Sequence, residues 1–114
     1  MDDNKYTDEQ LKRALAKMLP EKLIYVTEKD GGFEALHWRE NQSNDPAICL
    51  ANEVLDTELL YLCDLLEQSL DEQQELKYDP KLYDLCYYKG IPQYRAPWQD
   101  RVIAAAEARN IIID

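Results

Sequence analysis

Histidine, phenylalanine and glycine are scarce in this chain: its 114 residues include one His, one Phe and three Gly. His37 is therefore the sole side chain whose ordinary pKa lies near neutrality. It falls in a strand-like segment, HWR, where an exposed or cross-strand role is expected ahead of a catalytic one. There is no phosphate-cradling glycine loop and no dinucleotide fingerprint. Taken in order, His37, Cys49, Cys63 and Cys86 are separated by 11, 13 and 22 residues, which match no structural zinc pattern. The cysteines show no CxxC spacing, and no DxDxDG-type loop offers calcium ligands. No metal and no cofactor is expected, and an enzyme centred on His37 is the last of the readings considered below. No apolar run approaches the roughly 18 residues of a membrane span. The opening MDDNKYTDEQ has neither the basic nor the apolar region of a signal peptide. A cytoplasmic protein with reduced thiols and no membrane contact is the expectation. Basic residues are also few, 13 against 23 acidic ones, for a formal charge of −10. That balance repels phosphate backbones, so no direct nucleic-acid binding is expected.

What the chain does have is acid, tyrosine and leucine. The acid is unevenly placed. Residues 1–40 carry nine acids and seven bases, residues 41–80 ten acids and one base, and residues 81–114 four acids and five bases. From Glu53 to Glu75 there are eight carboxylates and no basic residue. The length fits a single domain over residues 1–114, frayed at 1–5 and 112–114, since two domains would each be too small to bury a core comfortably.

Local signals give the elements. Thr7 and Gln10 form a capping-box pattern with Tyr6 and Leu11 at the staple positions, and Leu11, Ala14, Leu15 and Met18 then make one apolar stripe until Pro20. Lys22–Thr27 and Phe33–Arg39 read as strands of a hairpin, joined by EKDGG, where Gly31 and Gly32 accept positive φ. A polar loop follows at 40–46, and AICLA at 47–51 reads either as a third strand or as packed coil. Asp56 is the expected N-cap of a second helix, with Leu59, Leu62, Cys63, Leu66 and Leu70 on its buried face, widened by Tyr61 and Leu65. Asp64, Glu67, Asp71 and Glu75, spaced by three, four and four, are expected to form a carboxylate stripe on another face of that same helix. Asp79-Pro80 reads as the start of a short third helix, with Leu82, Leu85 and Cys86 inward and Gly90 as its left-handed cap. A linker fixed by Pro92 and Pro97 leads to a last helix ending near Arg109, in which Val102, Ile103 and Ala106 pack inward.

The class implied is α+β: a single small domain with an N-terminal helix, a β-hairpin or three-stranded antiparallel sheet, then three helices. The order of the first five elements is similar to the helix–three strands–helix scheme of double-stranded RNA-binding domains. The second helix would there have to meet phosphate, and here it carries carboxylates, so element order alone implies no family.

Two surfaces stand out. The carboxylates Asp64, Glu67, Asp71 and Glu75 are either a solvated face or a surface for a basic partner. Residues 78–98 hold six aromatics, Tyr78, Tyr83, Tyr87, Tyr88, Tyr94 and Trp98. Tyr87 and Tyr88 are adjacent and cannot both be internal to a helical packing face. With Tyr94 and Arg95 they are candidate protein contacts, tyrosine being favoured at interfaces. The first functional expectation is a small acidic interaction or inhibitor module that meets a protein with a basic surface. One form of it masks a nucleic-acid-binding site by mimicking phosphates, as would suit an accessory protein of a phage or mobile element. The alternatives are a self-associating structural homodimer and a small enzyme using His37.

Overall fold

A computed structural model of the chain describes residues 6–27, 34–39 and 53–114. The expectations for residues 1–5, for the turn with Gly31 and Gly32, for the loop at 40–46, for 47–51 and for Cys49 fall outside the described residues. The architecture is α+β: among the described residues, four α-helices and a two-stranded antiparallel sheet form one small domain.

Helix α1 spans Asp8–Met18 and starts as its sequence directs. The Thr7 hydroxyl accepts from the Gln10 backbone at 3.2 Å, and the Gln10 side chain accepts from the Thr7 backbone at 2.8 Å. Two otherwise orphaned donors are thereby satisfied. The expected stripe, Leu11, Ala14, Leu15 and Met18, is buried. Strands β1, Leu23–Thr27, and β2, Glu34–Trp38, pair from Leu23 opposite Trp38 to Thr27 opposite Glu34. On the far edge of β2, His37 bridges to Glu53, and the Val54 amide donates to the Leu36 carbonyl at 2.9 Å. The sequence expectation of an exposed or cross-strand histidine is corrected in one respect. His37 is 1% exposed, with Nδ1 at 3.3 Å from the Ala35 carbonyl, while its backbone stands across from Ile24 on one edge and Glu53 on the other.

The second helix, α2, spans Leu59–Gln68 and is entered through a 3-10 turn at Asp56–Glu58. Asp56 is not the cap; Glu58 is the residue that closes this end. One of its carboxylate oxygens accepts from the Leu55 amide at 2.9 Å and the other from the Trp38 indole at 3.2 Å, tying the helix start to the sheet. Leu59, Leu62, Cys63 and Leu66 are buried as expected, Leu65 is half-buried, and Tyr61 is exposed.

The chain then departs from the expected course. Helix α2 stops at Gln68, and Asp71 caps a new helix, α3, over Glu72–Lys89. The Asp71 carboxylate accepts from the Gln74 amide at 2.8 Å, while the Gln74 side chain accepts from the Asp71 amide at 3.0 Å. Asp79-Pro80 therefore opens no helix, and Pro80 lies inside α3. An interior proline costs about 3 kcal/mol or more because it removes a ladder bond, here to the Leu76 carbonyl. Leu76 and Pro80 both lie on the exposed side, where water can take the freed carbonyl. Burial of Tyr78 before the proline and of Leu82, Leu85 and Cys86 after it offsets the cost. Gly90 ends the helix at φ +69°, and the Ile91 amide reaches back to the Cys86 carbonyl at 3.1 Å, the left-handed cap expected there.

A 3-10 turn at Gln93–Arg95 and Pro97 lead into α4, Trp98–Ala108. This helix lies centrally, packed against α1, α2 and α3. Val102, Ile103 and Ala106 are buried with Ala104, Ala105 and Ala108, whose small side chains let three neighbours approach. Fraying is the sequence expectation for 112–114. In the structure Ile113 lies against the core, and Lys17 reaches the Ile112 carbonyl at 3.3 Å and Asp114 at 2.6 Å. No helix among the described residues is long and apolar enough to cross a membrane.

Candidate protein-binding face

The expected carboxylate stripe is not formed. Ending α2 at Gln68 leaves Asp64 and Glu67 on one helix, with Asp71 and Glu75 at the start of another. Three of the four are engaged within the molecule. Arg101 of α4 reaches Asp64 at 3.2 Å and Glu67 at 3.3 Å, and the Tyr78 hydroxyl donates to Glu67 at 2.5 Å. Asp71 caps α3. Glu75 alone of the set stands exposed and uncommitted among the described residues. These pairings carry electrostatic consequences. Burial, then the Glu67 hydrogen bond, push the Tyr78 hydroxyl well above the usual phenol range. Burial pushes the Cys63 thiol up to about 12, partly opposed by Arg101. Burial likewise raises the Cys86 thiol. Both described cysteines are thus small buried hydrophobes rather than nucleophiles. Among the described residues no group of three or more His, Cys, Asp or Glu side chains converges as a metal site.

The aromatic candidates fare differently. Tyr78 is core, but Tyr83, Tyr87, Tyr88 and Tyr94 are 56%, 67%, 72% and 76% exposed. Because α3 begins at Glu72, Leu76, Pro80, Tyr83 and Tyr87 follow one another at spacings of four, three and four and share one face. That face is opposite Tyr78, Leu82, Leu85 and Cys86, so α3 is apolar on both sides, and Leu76 on the outer side is 69% exposed. The Tyr83 and Tyr87 rings stack with centroids 6.1 Å apart, and Tyr88 meets Tyr87 edge-on at 5.8 Å. Tyr94 stands on the adjoining 3-10 turn with the Arg95 guanidinium 5.9 Å from its ring centre. The four candidates Tyr87, Tyr88, Tyr94 and Arg95 are therefore exposed, as is Tyr83. Sequence reasoning missed Leu76, Pro80 and Tyr83 as members of this face. The Asp71–Gln74 capping box is the signal that would have placed them, since it fixes where α3 begins.

Charge flanks the face on one side. Glu72, Glu75 and Asp79 are exposed along the first two turns of α3 and surround a shallow depression of about 320 Å³ walled by Leu76. Carboxylates in a first helical turn are stabilised by the partial positive charge of the helix N-terminus, so they need no cation from elsewhere in the chain. A further exposed set, Leu55, Leu60 and Tyr61, adjoins in sequence residues 40–52, which lie outside the described residues. The α3 face has no such neighbour in sequence. No family model matches the chain, and neither a curated protein nor a solved structure matches it.

Proposed function

We propose that the chain is a protein-binding module that docks a partner of basic surface on the outer face of α3. One observation carries this reading: Leu76, Tyr83, Tyr87, Tyr88 and Tyr94 are each more than half exposed, around an unpartnered helix face. Isolated apolar residues on a surface are ordinary, but a contiguous aromatic set is the usual mark of an interaction site. Tyrosine adds area at low entropy cost and keeps a hydroxyl for a polar partner. The net charge of −10 and the exposed Glu72, Glu75 and Asp79, uncommitted among the described residues, favour basic partners and speed their encounter. The reading assigns no catalysis to the chain. A phosphate-mimicking form of it has lost its support, because the carboxylate row it needs is divided between two helices and largely paired.

The test is photo-crosslinking from position 87 in the full chain, followed by reconstitution with the purified crosslinked protein. Tyr83→Ser with Tyr87→Ser should weaken that complex by more than tenfold while leaving the unfolding midpoint unchanged. Equal affinity in the double variant would remove the reading. Self-association is the second reading. A two-fold pairing of α3 would lay the acidic first turns of one copy over Tyr88 and Arg95 of the other. Sedimentation across a concentration series separates the two, since a dimer lost on Tyr83→Ser and Tyr87→Ser substitution favours self-association.

A further inference from the structure

Three depressions lie along one flank of α3, and they share walls. The first, of about 320 Å³, is bounded by Glu72, Glu75, Leu76 and Asp79. The second, of about 510 Å³, takes Asp79 as one wall and continues past Glu67, Leu82, Tyr94 and Gln93 to Arg101. The third, of about 420 Å³, takes Gln93 as its near wall and is otherwise lined by Tyr83, Tyr87, Gly90, Ile91 and Pro92. Asp79 and Gln93 are thus the shared members, so the depressions follow one another beside the helix and a chain laid along this groove-like flank would meet each in turn. A Cβ placed on Gly90 would meet nothing within 4 Å, so the far end of the groove is open above the helix cap.

The groove has a chemical polarity. Its first third is carboxylate, with Glu72, Glu75 and Asp79 exposed and no basic residue in the lining. Its middle is polar: Arg101 is already held by Asp64 and Glu67, and the Gln93 amide makes no side-chain hydrogen bond among the described residues. A free amide on a groove wall can both donate to and accept from a peptide backbone laid beside it. Its last third is aromatic and aliphatic. From Glu72 to Gly90 the helix rises about 27 Å at about 1.5 Å per residue, which an extended peptide covers in roughly eight residues at about 3.3 Å each.

Resting on the protein-binding reading above, we infer that this groove takes an extended peptide segment, basic at one end and proline- or aliphatic-rich at the other. Its basic side chains meet Glu72, Glu75 and Asp79, with their aliphatic stems on Leu76. Its backbone runs past Gln93, and its apolar end lies between Tyr83, Tyr87 and Pro92. Charge complementarity selects this occupant over an acidic or uniformly apolar one, and over a second copy of the chain, whose net charge is −10. Aromatic grooves of this kind favour segments already extended, because less entropy is lost on docking.

The experiment is selection of a displayed library of random twelve-residue peptides on the intact chain, with Tyr87→Ser and Asp79→Lys chains selected in parallel. Both positions are exposed, and circular dichroism of each variant checks its fold. The expected result is enrichment, on the unsubstituted chain only, of peptides with two or more Lys or Arg at one end and Pro or aliphatic residues at the other. A synthetic copy of the enriched peptide should bind about tenfold more weakly to each variant. It should also shift amide resonances at 72–79 and 83–94. Failure to enrich, enrichment without a charge preference, or shifts elsewhere would overturn the groove. If selection fails while the crosslinked partner of the preceding section still depends on Tyr83 and Tyr87, the face binds a folded surface and only the groove is lost. If both fail, both fall.

Discussion

The polar side of α2 and the outer side of α3 carry the two features most conspicuous in the sequence, and they meet opposite fates. The carboxylates Asp64 and Glu67 are paired within the molecule by Arg101 and Tyr78, groups 34 and 11 residues away from Glu67 in the chain. The tyrosines of α3 are left outward, although the same helix has room for Tyr78 in the core. Charge can be cancelled at a distance by one long cation, so a run of acid in a sequence says little about the acid left on the surface. An aromatic ring can be hidden only by packing, and a short helix has one inner face to offer. Exposure of a large ring therefore survives folding as information in a way that a charge count does not.

The widest test of that contrast removes a cation from a buried partner. Asp100 is 1% exposed and is held by Lys89 at 2.6 Å, with its second carboxylate oxygen unpartnered. Lys89→Ala should cost about 3 kcal/mol, seen as a lowered denaturation midpoint, because it strands a buried carboxylate. Next comes alkaline pH. Cys63 and Tyr78 have raised pKa values in the fold, so the folded chain keeps protons that the unfolded chain releases. The contribution of Cys63 is complete below the ordinary thiol value of 9.0 and is lost as pH rises from there toward about 12, while that of Tyr78 starts to fall only above the ordinary phenol value of 10.0. Denaturant titrations across that range should show the midpoint falling. Cys63→Ala would take the thiol's part of the slope with it, leaving that of Tyr78.

Smaller effects separate the two surfaces directly. Arg101→Met should destabilise by about 1 kcal/mol, since its carboxylate partners are partly exposed. If it instead left stability unchanged, the pairing that engages these acids would be energetically empty. Tyr87→Ser should move stability by no more than about 0.5 kcal/mol, measured by thermal unfolding, because the ring covers little of the core. A large loss there would mean that the tyrosine face is structural and would erase the contrast.

Local signals were readable in the sequence and distant ones were not. Thr7 with Gln10, Gly90 with Ile91, and Pro97 before α4 all formed as expected, since each is settled within one turn of chain. The end of α2 and the start of α3 are also set locally, but there two signals compete. Leu66 and Leu70 continue the apolar period across Ser69, and both are buried, which hides the break. Asp79-Pro80 imitates a helix start and so competes with the true one, Asp71 with Gln74. The role of Arg101 depends on the chain folding back on Asp64 across a separation of 37 residues, and nothing at either position announces it.

Pro80 divides α3 energetically as well as geometrically. Upstream, residues 72–79 lack one ladder bond to the rest of the helix and bury a single large side chain, Tyr78. Downstream, Leu82, Leu85 and Cys86 are buried and Lys89 is clamped to Asp100. Local opening of the first segment therefore costs less free energy than opening of the second, and amide protons should exchange faster there. A single helix thus presents a yielding acidic end and a fixed aromatic end. An arriving chain would be caught by the part that adjusts and aligned by the part that does not.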